Sequence, residues 1–175
     1  MSRRAGRGGG TPATAALEAA GTEHTVHAYD HDPRTARESG YGLEAAEALG
    51  LDPRQVYKTL LVQLEPAGRP GLGVAVVPVS ARLDLKAVAA ALGAKRASMA
   101  DPAAAERATG YVVGGISPLG QRTRLPTVVD ASALDHEHVY VSGGRRGLDL
   151  GLAPGDLVAL TSAVTAAVAR STAAP

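Results

Sequence analysis

Residues 110–130 read GYVVGGISPLGQRTRLPTVVD. An apolar run, Tyr111 to Val113, meets the paired glycines Gly114 and Gly115 and passes through a Ser117-Pro118 turn that Gly120 ends. It leaves through Arg122 and Arg124 into a second apolar run, Pro126 to Val129. Glycine adopts backbone angles closed to other residues, and with no Cβ it lets a ligand come within hydrogen-bonding distance of the main chain. The proline stiffens a turn whose Ser117 hydroxyl can point inward, and the two arginines set guanidinium forks beside it. Two predicted strands grip this loop at its ends, as a rigid scaffold grips a functional loop. A plain Gly-rich hairpin connection fits the stretch taken alone equally well.

Upstream, the punctuation is regular. Thr11-Pro12 caps a helix that Gly21 closes, and His24 to Tyr29 alternates as a strand with Thr25, His27 and Tyr29 on one face. Asp30 to Gly42 is polar and reads as a loop carrying Tyr41, followed by a short helix Leu43 to Leu49. Asp52-Pro53-Arg54-Gln55 has capping-box form and predicts one helical turn before the strand Tyr57 to Glu65. The turn cluster Pro66 to Gly71 returns the chain as a buried strand, Leu72 to Val79. Asp84 and Asp101-Pro102 cap helices that Gly93 and Gly110 stop, with a strand Lys95 to Met99 between them.

Downstream, Ser132 to Glu137 reads as a polar connection. His138 to Ser142 and Leu148 to Leu152 read as strands around a tight basic turn, Gly143 to Gly147, and Pro154 begins a helix reaching about Ala169. Mixed helices and hairpins predict an α+β domain whose sheet contains parallel and antiparallel pairs. Met1 to Gly10 reads as a disordered basic tail, residues 11–170 as one domain and 171–175 as a C-terminal tail.

Composition narrows the function. The 175 residues are 45% hydrophobic, enough for one real core, but that core is aliphatic: five tyrosines are the only aromatics. A broad base-stacking platform needs clustered rings and is not expected. A formal charge of +1 argues against a general polyanion-coating protein. The absence of cysteine excludes a thiol nucleophile, a disulfide framework and a thiolate metal site. The opening MSRRAGRGGG has no apolar segment behind it, so a cytoplasmic protein is expected.

Several familiar constellations are missing. His24 and His27 face opposite sides of a strand, and His136 and His138 have no glutamate at metalloprotease spacing, so no metal is expected. No GxSxG elbow, Walker loop or GxGxxG fingerprint is present, and no cofactor is implied. Lys58 is more informative. The chain uses arginine fifteen times and lysine three times, so a lysine opening a buried-looking strand suggests a site wanting a compact ammonium donor for a carbonyl or phosphate. A strand-edge lysine snorkelling to water is the bland alternative. The run Ser142-Gly143-Gly144-Arg145-Arg146-Gly147-Leu148-Asp149 is a second glycine loop, with two guanidinium groups and a carboxylate able to hold an amino group or a ribose hydroxyl. Two such loops and one lysine suggest a pocket for a charged, nucleotide-bearing ligand.

Taken together, DPRQVYKTLLV (52–62), LDLKAVAAALGAKRASMADP (83–102), ATGYVVGGISPLGQRTRLPTVVD (108–130) and YVSGGRRGLDL (140–150) closely resemble the YbaK-type aminoacyl-tRNA deacylases. These are the bacterial Cys-tRNA(Pro) deacylases, similar to the editing domain of bacterial prolyl-tRNA synthetases. The resemblance runs from about Thr11 to Ala169. It implies a mixed α/β fold with a strongly curved, barrel-like sheet, and hydrolysis of cysteine wrongly attached to tRNA(Pro), with Cys-tRNA(Cys) as a further candidate substrate and with tRNA and prolyl-tRNA synthetase as partners. It also implies Lys58 as the essential lysine with Thr59 beside it, Gly114 as the pocket glycine, Ser142 and Asp149 at the second loop and Tyr29 as an aromatic pocket wall. To these we add positioning of the terminal ribose and phosphate region by Lys58, oxyanion or carbonyl contacts from the main chain at Gly114 and Gly115, and Tyr41 and Ser117 beside the substrate. Arg122, Arg124, Arg145 and Arg146 would meet tRNA weakly. The implied attacking group is the substrate's own thiol. Alanine release from tRNA(Pro), or a non-catalytic aminoacyl-tRNA binding module, are the alternatives. The family often has phenylalanine at the position of Tyr41.

Overall fold

In the computed structural model, which describes residues 10–66 and 71–171, the first half of the chain runs α1 (Pro12–Ala19), β1 (Thr25–Ala28), α2 (Pro33–Ser39), α3 (Tyr41–Leu49), β2 (Tyr57–Glu65), β3 (Leu72–Pro78) and β4 (Ala81–Leu83). The second half adds α4 (Leu85–Ala91), β5 (Arg96–Met99), α5 (Pro102–Thr109), β6 (Thr127–Asp130), a 3-10 turn (Ala131–Asp135), β7 (Val139–Ser142), β8 (Leu148–Leu152), α6 (Pro154–Thr161), β9 (Val164–Ala166) and β10 (Ala169–Ser171). Side chains of Thr11, Asp32, Asp84 and Asp101 each accept a backbone N–H in the first turn of the helix they precede. Those donors have no partner inside the helix, which fixes where each one starts.

The strands form a five-stranded mixed sheet in the order β5-β2-β3-β6-β9, a three-stranded sheet β1-β8-β7 and a two-stranded pair β10-β4. Alternate residues of the central strand β3 enter different cores. Val74 and Val76 join Leu17, Tyr111, Leu150 and Leu157 on one face, whereas Ala75 and Val77 join Val88, Val128 and Val168 on the other. A strand covered on both sides needs an unbroken apolar sequence, and GVAVV supplies it.

This α+β architecture matches the expectation; the barrel-like closure does not. Among the described residues all three sheets are open. The five-stranded and three-stranded sheets touch through an isolated bridge between Val56 and Tyr140, so the sheet breaks there instead of continuing round.

Four local expectations also change. Asp30 to Gly42 holds a helix, α2, because Asp32-Pro33 is itself a cap and helix start; its burial of Ala36 alone left little apolar signal. The segment after Asp52 is a turn, closed by the Gln55 N–H donating to the Asp52 carbonyl. Tyr111 to Val113 pairs with no strand: Tyr111 is buried with its hydroxyl donating to the Leu119 carbonyl, while Val112 is 51% exposed. The last helix stops at Thr161, where Ser162 takes a left-handed conformation, and the Ala-rich remainder becomes β9 and β10. Pairing of β9 with β6 and of β10 with β4 overrides the helix preference of alanine, and the Asp130 carboxylate accepts the N–H groups of Val168 and Ala169 between them. The expectations for the basic tail, the tip of the Pro66 to Gly71 turn and the last residues fall on 1–9, 67–70 and 172–175, outside the described residues.

Candidate active site

β2 is bound to β3 along its length but meets β5 only from Val62 onward. Its first residues therefore leave one edge open, with β7 bridged at Val56 below and the start of α5 above. A cavity of about 360 Å³ lies along that edge, and consecutive residues from Val56 to Leu61 line it. Side chains alternate across a strand, so an unbroken run of lining residues means that the edge itself faces the space.

Lys58 enters this cavity half-buried, with its ammonium donating to the Ala81 carbonyl at 2.9 Å. Burial lowers its pKa from the usual lysine value. Tyr29, Tyr41, Thr59, Gly114, Ser142 and Asp149 line the same space. The β7–β8 hairpin sets two of them opposite each other, since Ser142 and Asp149 are register partners and so point to one face. Asp149 is 4% exposed. Burial pushes its pKa up to about 7. The neighbouring Tyr29 phenol is held near 12, by burial first and by the Asp149 charge second.

The two glycine loops meet directly. Gly114 has a φ of 89°, and a Cβ there would stand 2.7 Å from the Tyr41 ring. A Cβ on Gly115 would stand 2.8 Å from the Arg145 backbone, and the Gly115 N–H already donates to the Val112 carbonyl. What these glycines admit, then, is the rest of the protein: a tyrosine wall and the second loop. Arg146 ties the arrangement together, since its guanidinium donates twice to the Val113 carbonyl, at 3.0 and 2.7 Å, and lies 5.0 Å from the Tyr41 ring centre.

Seven of the nine residues expected at the reacting or substrate positions thus line one cavity; Gly115 and Ser117 do not. Ser117 is fully buried and its hydroxyl accepts the Leu119 N–H within its own turn. The four arginines are exposed, and none lines this cavity; Arg124 borders a second, smaller one of about 210 Å³ beside α6.

Sequence reasoning missed two groups. One is the apolar part of the cavity's lining, Leu60, Met99, Pro102, Val113 and Ile116, none of which carries a chemical signal of its own. The other is Glu44, 3% exposed on α3, which accepts from the Asp32 N–H and meets His31 Nδ1 with both oxygens at 3.0 Å. His31 in turn stacks on Tyr41 with ring centres 5.8 Å apart. No spacing motif announces that chain, because it joins a loop to a helix thirteen residues away.

The aminoacyl-tRNA editing domain family matches residues 40–160, which contain every lining residue of the cavity except Tyr29. A protein of Enterococcus faecalis, EbsC, named as a candidate Cys-tRNA(Pro)/Cys-tRNA(Cys) deacylase, is 37% identical over 117 residues, 67% of this chain and 70% of its own length. A crystal structure described as a candidate trans-editing enzyme for prolyl tRNA synthetase aligns with a TM-score of 0.76 at 29% identity, over 91% of this chain and 95% of that one. The hypothetical protein APE2540 aligns with a TM-score of 0.78 at 29% identity, over 91% of this chain and all of the other.

Proposed function

Since the chain belongs to the aminoacyl-tRNA editing domain family, we propose that it is a trans-editing deacylase that releases cysteine from mischarged tRNA(Pro). The observation that carries this reading is the gathering of Lys58, Gly114, Ser142 and Asp149, contributed by three separate parts of the chain, round one cavity that offers no cysteine and no serine–histidine pair. Such a site can hold and polarise a reactive ester without supplying the nucleophile.

In this mechanism the thiol of the cysteinyl group attacks its own ester carbonyl. A sulfur–carbon bond forms, the ester carbon–oxygon bond breaks, and the thiol proton passes to the departing ribose oxygen. The cyclic thiolactone then hydrolyses to cysteine. The Lys58 ammonium and the main chain at Gly114 stabilise the charge that gathers on the carbonyl oxygen, a donor of that kind being worth about 3 kcal/mol. Asp149 holds the substrate's ammonium, and Ser142 and Thr59 fix the ribose. Gly115 acts through spacing, keeping the two loops in contact.

Prolyl-tRNA synthetase is the expected partner, because a chain of near-neutral charge with five tyrosines has little with which to read a tRNA body. Among the described residues no helix is long and apolar enough to cross a membrane, which agrees with a cytoplasmic translation factor. The test is release of amino acid from tRNA(Pro) charged with cysteine or with alanine: cysteine should be freed and alanine retained. Turnover of the alanyl ester instead would reassign the specificity, and turnover of neither would make the protein a binding module.

A further inference from the structure

Resting on that reading, we propose that Arg146 is a positioning residue: by gripping the Val113 carbonyl from outside the cavity it aims the N–H of Gly114 inward. The Val113 C=O and the Gly114 N–H belong to one peptide group, which is planar and trans, so its two polar ends point in opposite directions. Arg146 Nε and Nη2 both donate to that single oxygen, at 3.0 and 2.7 Å. Gly114 lines the cavity, whereas Arg146 does not. A peptide held at its oxygen from beyond the lining presents its N–H on the other side, where the proposed mechanism calls for a donor.

This peptide needs an anchor from elsewhere in the chain. The groups on either side have their own: the Val113 N–H donates to the Glu106 carboxylate at 3.0 Å, and the Gly115 N–H donates to the Val112 carbonyl at 2.9 Å. The group between them turns about the φ of Gly114, which stands at 89°. Glycine tolerates both signs of that angle, so no side chain resists a flip that would carry the N–H away. The Tyr41 ring backs the anchor. It lies where a Cβ on Gly114 would be, and the Arg146 guanidinium is 5.0 Å from its centre, within reach of cation–π attraction. Two N–H groups of a planar fork converging on one oxygen fix a direction as well as a distance, which a lysine ammonium does not. A cation on the oxygen also draws charge along the peptide and strengthens the donor at its other end. Arg146 is exposed, so its contacts contribute little to stability and its loss acts on geometry first.

The sequence contains one Val-Gly pair, Val113-Gly114. Whole protein isotopically labelled at the valine carbonyl carbon and the glycine nitrogen therefore gives a single signal in a carbonyl–amide magnetic resonance correlation, that of this peptide. Arg146→Gln should move the signal, and Arg146→Lys should move it nearly as far, with Tm almost unchanged in both. With Cys-tRNA(Pro) as substrate both variants should lose about tenfold in kcat with little change in KM, short of the roughly 100- to 1,000-fold that deleting such a donor costs. The salt dependence of binding to uncharged tRNA(Pro) should stay that of the wild type. A phosphate contact at Arg146 would give the reverse: a salt slope smaller by about one in Arg146→Gln, recovery in Arg146→Lys and an unmoved peptide signal. That result would overturn the assignment, as would wild-type kcat in Arg146→Gln. If the signal moves but the wild type releases no amino acid from tRNA, the grip on the peptide stands and the deacylase reading falls.

Discussion

Lys58 carries the most at the scale of single residues. It is one of three lysines, it sits at the uncovered beginning of β2, and its ammonium is drawn out of water toward the Ala81 carbonyl. Lys58→Ala should abolish deacylation while leaving the melting temperature nearly unchanged, since its site is half-open. Lys58→Arg should be almost as inactive because a planar fork cannot place a single donor where an ammonium does; wild-type turnover in the arginine variant would remove Lys58 from the mechanism. Asp149 makes a second prediction, about pH. Its folded pKa is raised from 3.8 to about 7. Between those values the unfolded chain has released the proton and the folded chain still holds it, so stability falls as pH rises across this window and levels off above it. By pH 8 the cost is about 4 kcal/mol. Asp149→Asn should therefore melt above the wild type at pH 8, with the gap closing by about pH 4. A gap independent of pH would mean that the carboxyl is comfortably ionised.

Among the elements, α3 is where a positioning role is built. Glu44 on its buried face holds His31 and the start of α2, and His31 stacks on Tyr41, the cavity wall that also lies against Gly114 and Arg146. Glu44→Gln keeps one acceptor but sets an amide against the imidazole, and should cost about 1–3 kcal/mol in denaturant unfolding. If the chain of contacts orients Tyr41, the same variant should raise KM more than it lowers kcat; equal losses in both would reduce Glu44 to a purely structural group. These contacts were invisible in the sequence because a polar tract with one buried alanine gives no periodic signal. The strand β2 and the hairpin β7–β8 were legible to within a residue, since alternating or continuous apolar runs bounded by glycine and proline leave few other readings.

For the molecule as a whole, the proposed mechanism draws selectivity from reactivity, because a pocket separates amino acids that differ by one methylene by only about 1–3 kcal/mol. A seryl ester has nearly the shape of a cysteinyl one, but its alcohol ionises far less readily than a thiol of pKa about 8.5. Cys-tRNA(Pro) should thus be cleaved much faster than Ser-tRNA(Pro) in single-turnover conditions, with similar binding. Equal rates would replace the substrate thiol with Ser142 or an ordered water as the attacking group. The same distinction between local chemistry and global arrangement divides what could be read at each level. Capping residues, glycine stops and apolar runs act within a few residues of themselves, so the sequence by itself determined most helix starts, the main strands and the two glycine loops. Which residues share a cavity depends on register between strands remote in sequence and on where a ladder ends. Only the tertiary structure could decide that β2 outruns β5, that Ser117 turns into its own loop, that the alanine-rich end pairs as strands, and that Tyr41, rather than a ligand, occupies the space above Gly114.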